Sequence, residues 1–141
     1  MKLNDEVVDF LLNGGGSNIV LISTVSEFGV VNLSPRIILD IDRSSAKDKI
    51  YFNHVFPNKT LYNLRKNPKA SISKYISNVN GTVKMVVITG RVNNLTSGYK
   101  YEELAKLSPS RMPIVKKGIV STVPNPVAIT EFIVEEVEVY P

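Results

Sequence analysis

Cysteine and tryptophan are absent from this 141-residue sequence, and histidine occurs once, as His54. Without cysteine there are no disulfides, thiolate metal sites or thiol nucleophiles, which agrees with a cytosolic protein. With one histidine, a His-rich metal centre is excluded, and a Ser-His-Asp triad would have to use His54. No segment approaches the roughly 20 apolar residues that span a bilayer. We therefore expect no membrane partner and no hydrolytic site, and any demanding chemistry would belong to a bound cofactor.

The composition fits a single domain that holds an anionic ligand. Hydrophobic residues make up 43% of the chain, enough for one core, and we expect one domain over residues 1–141. The start of the chain becomes acidic within six residues and lacks a signal-peptide pattern, which also predicts a cytoplasmic protein. The net charge of +4 suits an anionic ligand. Because the basic residues form no run and are not interleaved with aromatics, we expect no nucleic-acid partner.

Hydrophobic periodicity and turn residues divide the chain into six strands and two or three helices. Asn4 is placed to cap a first helix that ends at the glycines 14–16. Strands are predicted at 19–25, 30–39, 49–54, 70–76 and 82–93, and a last strand follows Asn125-Pro126. Further helices are predicted from about 58 to 66 and from 96 to 107. Hairpin-linked strands with peripheral helices predict a mainly β protein, a small six-stranded antiparallel barrel.

Local features add detail to these strands. The run 19–25 is almost continuously apolar, which predicts a strand buried on both faces. Pro35 predicts an edge position or a bulge in the second strand, because proline has no N–H for the ladder. Gly90 predicts a bulge in the long strand. Residues 40–49 are predicted to form a charged loop.

The segment from Tyr51 to Pro68 carries the strongest functional signal. It predicts a strand end, a polar turn and a short helix whose first turn holds Asn58, Lys59 and Thr60. A helix start has unpaired N–H groups and a partial positive charge, to which the lysine ammonium and the threonine hydroxyl add. The segment therefore predicts a phosphate site. The alternative is an ordinary capped helix start with a solvated lysine.

Further motifs extend this signal over almost the whole chain. A leading helix precedes the strand 21–25, Gly29 and the sequence Asn-Leu-Ser-Pro-Arg at 32–36. A hydrophobic strand then leads into the segment 59–68, and late in the chain a Thr89-Gly90 strand precedes a helix. In their order and spacing, from about Asp5 to Tyr140, these motifs resemble the FMN-binding split-barrel family related to pyridoxamine 5'-phosphate oxidase.

The resemblance implies a six-stranded split barrel that forms a homodimer, with FMN at the subunit interface. In this family the FMN phosphate is held by a basic residue on the strand after the first hairpin and by a lysine-bearing helix start. Here these are Arg36, Asn58 and Lys59, with a hydroxyl contact from Thr60. The remaining residues implied to contact the cofactor are Ile37, Ile38, Phe52, Asn53, His54 and Met85.

Two of these residues have simpler interpretations. An arginine that follows a proline on an edge strand is usually solvent-exposed, although a planar guanidinium suits a phosphate. His54 could act as an acid or base, because the pKa of an unperturbed histidine lies near neutral. The preferred interpretation is that His54 packs beside the cofactor at the strand end and contributes mainly its backbone.

The function implied is that of an FMN-dependent oxidoreductase or flavin reductase, with NAD(P)H or a small molecule as electron donor. The chain departs from vitamin B6 oxidases in two ways: it lacks their tryptophan-bearing C-terminal segment, and its 36–39 strand runs into Asp40 where theirs ends in lysine. Both departures argue against oxidation of vitamin B6. A non-catalytic FMN carrier, a deazaflavin-binding protein and a barrel that binds protein or nucleic acid remain alternatives.

Overall fold

The architecture is that of a strongly curled antiparallel sheet with helices at its ends. The computed structural model describes residues 1–55, 57–107, 113–116, 119–122 and 126–141, and of 113–116 and 119–122 the backbone alone. The helices are α1 (Asp5–Asn13), α2 (Lys59–Lys66) and α3 (Tyr99–Ala105). The strands are β1 (Ile19–Val25), β2 (Val31–Ile37), β3 (Asp40–Asp42), β4 (Lys49–His54), β5 (Lys69–Ser77), β6 (Val83–Leu95), β7 (Pro113–Lys116), β8 (Ile119–Thr122) and β9 (Ala128–Tyr140).

The first helix begins and ends as its sequence predicts. Asn4 accepts a hydrogen bond from the N–H of Val7 at 2.8 Å, which satisfies one of the unpaired donors of the first turn. A short 3₁₀ turn follows at Gly14–Gly16, where Gly15 has a φ of 64°, a conformation that glycine adopts without strain. The apolar face of α1 packs onto the interior of the sheet through Val7, Phe10 and Leu11.

Seven strands form one sheet in the order β2-β1-β5-β6-β9-β4-β3, and β7 and β8 form a separate hairpin. The prediction of a split-barrel fold is confirmed. The strand count differs because part of the predicted charged loop is the short strand β3, which pairs with β4. Among the described residues, no helix is both long and apolar enough to cross a membrane.

The sheet curls until its first strand meets β4. Ser34 on β2 aligns, through β1, β5 and β6, with Val137 on β9. On β9, the residue that pairs with His54 of β4 is Ala128, nine positions before Val137. A stagger of this size means that the strands are steeply tilted, as the closure of a small barrel requires. The line along which β2 faces β4, without a strand ladder between them, is called the seam below.

One face of each strand fills the barrel, and the opposite face of several strands is open. In β1 the buried side chains Val20, Ile22 and Thr24 alternate with more exposed ones, of which Ile19 is 50% and Leu21 39% exposed. The prediction that β1 is buried on both faces is therefore wrong. Its apolar content reflects a second apolar face on the outside of the barrel.

Gly90 lies at a bulge, as predicted. The register between β6 and β9 shifts between Thr89 and Gly90. A Cβ atom on Gly90 would lie 2.1 Å from the carbonyl oxygen of Ile133, so no larger residue fits without movement of the backbone. The bulge thus lets the two longest strands bend together around the core.

Candidate functional site

A cavity of about 520 Å³ opens at the seam between β2 and β4, a size typical of small-molecule sites. The start of α2 forms its third side. The residues that line it come from β1, β2, the end of β4 and the turn before α2: Ile19, Pro35, Arg36, Ile37, Asn53, His54, Val55 and Asn58.

The edge of β2 presents its backbone to this cavity. Just beyond the two ends of the β1–β2 pair, the N–H of Ile38 donates to the carbonyl of Asn18 at 3.1 Å, and that of Ser26 donates to the carbonyl of Val30 at 2.9 Å. Because hydrogen-bonded pairs alternate along an antiparallel ladder, the backbone groups that bond to β1 are those of the even-numbered residues of β2. The backbone groups of Pro35 and Ile37 therefore point away from β1. The missing N–H of Pro35 costs no ladder bond, which confirms the predicted edge position.

Arg36 is held by partners on two sides. Its Nη1 atom donates to the Ser34 hydroxyl at 3.1 Å and to the Pro35 carbonyl at 2.7 Å. Its Nη2 atom lies 3.2 Å from Oδ1 of Asn58 and 3.4 Å from Nδ1 of His54. Partial burial lowers the pKa of Arg36 from its usual value. The guanidinium is therefore anchored at the seam, unlike the solvent-exposed arginine of the simpler interpretation.

The start of α2 reaches the same place. Asn58 caps the helix by accepting from the N–H of Leu61 at 2.8 Å, and the same oxygen accepts from Arg36. Lys59 occupies the first helical position and is exposed to solvent. The N–H groups at this end carry the positive pole of the helix. Arg36 and the capped start of α2 thus meet at the cavity, whereas Lys59 is not among the residues that line it.

Thr60 joins α2 to β2. Its hydroxyl is buried, accepts from the Asn32 amide at 3.0 Å and lies 2.6 Å from the Ser34 hydroxyl. Because Ser34 also contacts Arg36, the side chains 32, 34 and 36 of β2 form one hydrogen-bonded row along α2. The predicted hydroxyl of Thr60 is therefore engaged within the protein, where it fixes the helix start against the strand.

His54 lies at the back of the cavity with both ring nitrogens in contact with polar groups. Nε2 is 2.7 Å from the hydroxyl of Thr130, which donates to Asn94 at 2.8 Å. Nδ1 faces Arg36 and lies 3.3 Å from the Asn58 amide nitrogen. Burial, with the charge of Arg36 next, lowers the pKa of His54 to about 3. The imidazole is neutral at physiological pH.

The other predicted residues are divided between cavity, core and open face. Ile37 and Asn53 line the cavity. Ile38 and Phe52 are buried in the hydrophobic core. Met85 lies between Tyr75 on β5 and Tyr140 on β9, on the open face of the sheet, and is not among the residues that line the cavity.

Sequence reasoning missed four polar residues of the site. Asn32 and Ser34 stand four and two positions before Arg36 on one strand face, so period-two alternation could have identified them. Asn94 and Thr130 gave no local signal, because they reach His54 only through the folding of distant strands. Among the described side chains, no three carboxylates or histidines converge as metal ligands.

Comparison with known proteins agrees with this fold. The sequence profile of the pyridoxamine 5'-phosphate oxidase family matches residues 3–140. The search of curated proteins gives no match. Among solved structures, HupZ of Group A Streptococcus is similar with a TM-score of 0.70 at 20% identity, over 96% of this chain and 92% of that one.

Two further solved structures bear names that mention a flavin. An FMN-binding protein from Syntrophomonas wolfei has a TM-score of 0.63 at 14% identity, over 86% of this chain and 76% of that one. A FAD-binding protein from Mesorhizobium loti has a TM-score of 0.60 at 16% identity, over 96% of this chain and 90% of that one. At such low identities these structures show the fold that the chain shares with them.

Proposed function

The chain belongs to the pyridoxamine 5'-phosphate oxidase family, and from this premise we propose that it is a flavoprotein that binds FMN in the cavity at the seam. One observation carries the proposal. The guanidinium of Arg36 and the capped start of α2 meet at one end of a cavity whose other walls include apolar side chains. FMN has a matching distribution of charge, because its anionic phosphate lies at one end and its flat, largely apolar ring system at the other.

The residues present fit the two ends of FMN. Arg36 and Lys59, with the N–H groups at the start of α2, would hold the phosphate, and two cations balance a dianion. Ile19 and Ile37 supply an apolar wall for the ring, beside the exposed backbone edge of β2. FAD would have to extend its second nucleotide beyond the anchored phosphate, and we therefore favour FMN.

The flavin would supply the electron transfer, and the protein would bind and orient it. His54 is neutral and its Nδ1 atom accepts from Arg36 and Asn58, so it has no proton to give on that side. We propose an oxidoreductase or flavin reductase that takes electrons from NAD(P)H or a small molecule. The absence of a charged proton donor among the described cavity residues also favours a second candidate, a carrier that exchanges electrons without a proton-dependent substrate step.

We further propose that the active form is a homodimer. Ile19 and Ile37 in the cavity wall continue onto the open face, where Leu21 and Leu33 are exposed by 39% and 57%. An apolar face of this kind beside a ligand site is typical of an interface. A second copy on this face would cover the cavity. Met85, which the family resemblance implies is at the ring, lies on the same open face as Leu21.

The test is flavin retention. The purified protein is incubated in turn with FMN, FAD, riboflavin and a 5-deazaflavin phosphate, desalted, and its visible absorption is recorded. We expect retention of FMN near one per chain, and loss of FMN in the double variant Arg36→Ala, Lys59→Ala. A wild-type protein that retains none of the four would refute the proposal. Turnover of NADH or NADPH with an artificial acceptor then distinguishes the enzyme from the carrier.

A further inference from the structure

Behind the cavity, a line of polar side chains runs from β6 to the seam. Asn94 on β6, Thr130 on β9, His54 on β4 and Arg36 on β2 follow one another at hydrogen-bond distances of 2.8, 2.7 and 3.4 Å. Thr130 is fully buried and His54 almost so. The line therefore crosses the neighbouring strands β6, β9 and β4 and then the seam to β2. Packing alone does not require polar side chains at these positions.

The direction of each hydrogen bond follows from the chemistry of the groups. The Oδ1 atom of Asn94 can only accept, so the Thr130 hydroxyl gives it its single hydrogen. Towards His54 the same hydroxyl can then only accept. The hydrogen of the neutral imidazole must therefore sit on Nε2, and Nδ1 keeps its lone pair.

That lone pair faces two donors. Nη2 of Arg36 lies 3.4 Å and Nδ2 of Asn58 3.3 Å from Nδ1 of His54. The opposite tautomer would direct an N–H at a guanidinium that can only donate, and the contact would be lost. Asn58 Oδ1 still accepts from Arg36, so His54 is one of two anchors for the same Nη2 atom.

We infer that Asn94 and Thr130 are positioning residues for the phosphate end of the site: they fix the Nε2–H tautomer of His54, which in turn holds the Arg36 guanidinium at the cavity. The inference rests on the proposed function for its ligand. It implies that phosphate recognition depends on two side chains that do not touch the ligand. The contribution of the ring system to binding does not depend on them.

Because His54 is the only histidine, the tautomer can be observed directly. ¹⁵N-histidine labelling yields signals from a single imidazole, and the two tautomers differ in which nitrogen carries the hydrogen. We expect an Nε2–H imidazole in the wild type. Thr130→Val removes the hydroxyl at nearly constant shape, and Thr130→Ser, the matched control, keeps it.

In Thr130→Val we expect mixed tautomers and a loss of FMN affinity of roughly fivefold to tenfold, the value of one hydrogen bond. Riboflavin, which lacks the phosphate, should bind as it does to the wild type. Thr130→Ser should match the wild type in both respects. Asn94→Leu frees the Thr130 hydroxyl to donate to Nε2 and should favour the Nδ1–H tautomer. Because Asn94 is less buried than Thr130, this variant replaces Thr130→Val in the test if Thr130→Val does not fold.

An unchanged tautomer in Thr130→Val and Asn94→Leu would overturn the inference. So would a changed tautomer with an unaltered preference for FMN over riboflavin. If the wild type bound neither flavin, the proposed function would fail, and the positioning of Arg36 would be judged from its own guanidinium ¹⁵N signals, assigned with Arg36→Lys. The guanidinium signals of Arg36 should be sharp and separate only while the tautomer of His54 is fixed.

Discussion

The guanidinium of Arg36 lies 3.4 Å from Nδ1 of His54, although four strands separate β2 from β4 in the sheet. The contact therefore exists only because the sheet curls until β2 faces β4 across the seam. It places a cation, a neutral imidazole and the cap of α2 around one point of the seam. A site assembled in this way is sensitive to the closure of the barrel as well as to its own side chains.

Removing the Arg36 guanidinium should weaken phosphate binding selectively. Arg36→Ala is expected to lower the affinity for FMN by about 1.5–3 kcal/mol, the range for hydrogen bonds to a charged group, with little change for riboflavin. Isothermal titration with both ligands measures the difference. Lys47→Ala removes an exposed positive charge from the distant 44–47 loop and is the matched control. An equal loss for FMN and riboflavin would contradict a phosphate contact.

Gly90→Ala should destabilise the protein severely. The new methyl group would lie 2.1 Å from the Ile133 carbonyl oxygen, so the bulge between β6 and β9 must open. We expect a loss of more than about 3 kcal/mol in the free energy of unfolding, measured by urea denaturation. Gly81→Ala is the control, since its methyl group meets open space and only the positive φ is strained, at a cost of about 1 kcal/mol. Equal losses in the two variants would contradict the steric account.

A charge on the open face should separate the proposed dimer. Leu21→Glu places a carboxylate in the middle of the apolar rows of β1 and β2, where burial against a second copy would desolvate it. We expect a monomer by light scattering coupled to size exclusion, together with reduced flavin retention. Val79→Glu, in the fully exposed turn between β5 and β6, should stay dimeric. A wild type that is monomeric at micromolar concentration would refute the dimer itself.

Much of this architecture was predictable because its signals are local. The Asn4 cap, the glycine stop after α1, the edge position of Pro35 and the bulge at Gly90 each depend on the backbone chemistry of one or two residues. The start and the end of α2 were predicted for the same reason, because Asn58 is a good cap and Pro68 cannot continue a helix. The family resemblance then supplied the closure of the barrel.

The rest of the site could not be predicted from local sequence. Thr130 contacts His54 across 76 residues of sequence, so no window around either residue contains the other. The burial of the apolar residues of β1 could not be predicted for a different reason. Local composition does not distinguish a face that fills the barrel from one that lies outside it, and both Ile19 and Ile22 count equally as hydrophobic, although one is 50% exposed and the other is not exposed at all.

The buried imidazole should also make stability depend on pH. The pKa of His54 falls from 6.5 to about 3 in the folded protein, through burial first and then the charge of Arg36. Below about pH 6.5 the unfolded chain takes up a proton that the folded chain refuses. Protonation therefore favours unfolding, and the stability that His54 contributes is lost as the pH falls towards 3.

His54→Gln removes this dependence while keeping an amide N–H that can reach Thr130. Urea denaturation at several values between roughly pH 7 and pH 4.5 should show the wild type losing up to about 1.4 kcal/mol per pH unit more than the variant. The variant should be less stable at neutral pH, where the wild-type hydrogen bonds are intact, and the gap should close on acidification. If the free energies of unfolding of the two proteins changed in parallel with pH, His54 would titrate alike in the folded and unfolded states. That result would contradict the effect expected from its burial between Arg36 and Thr130.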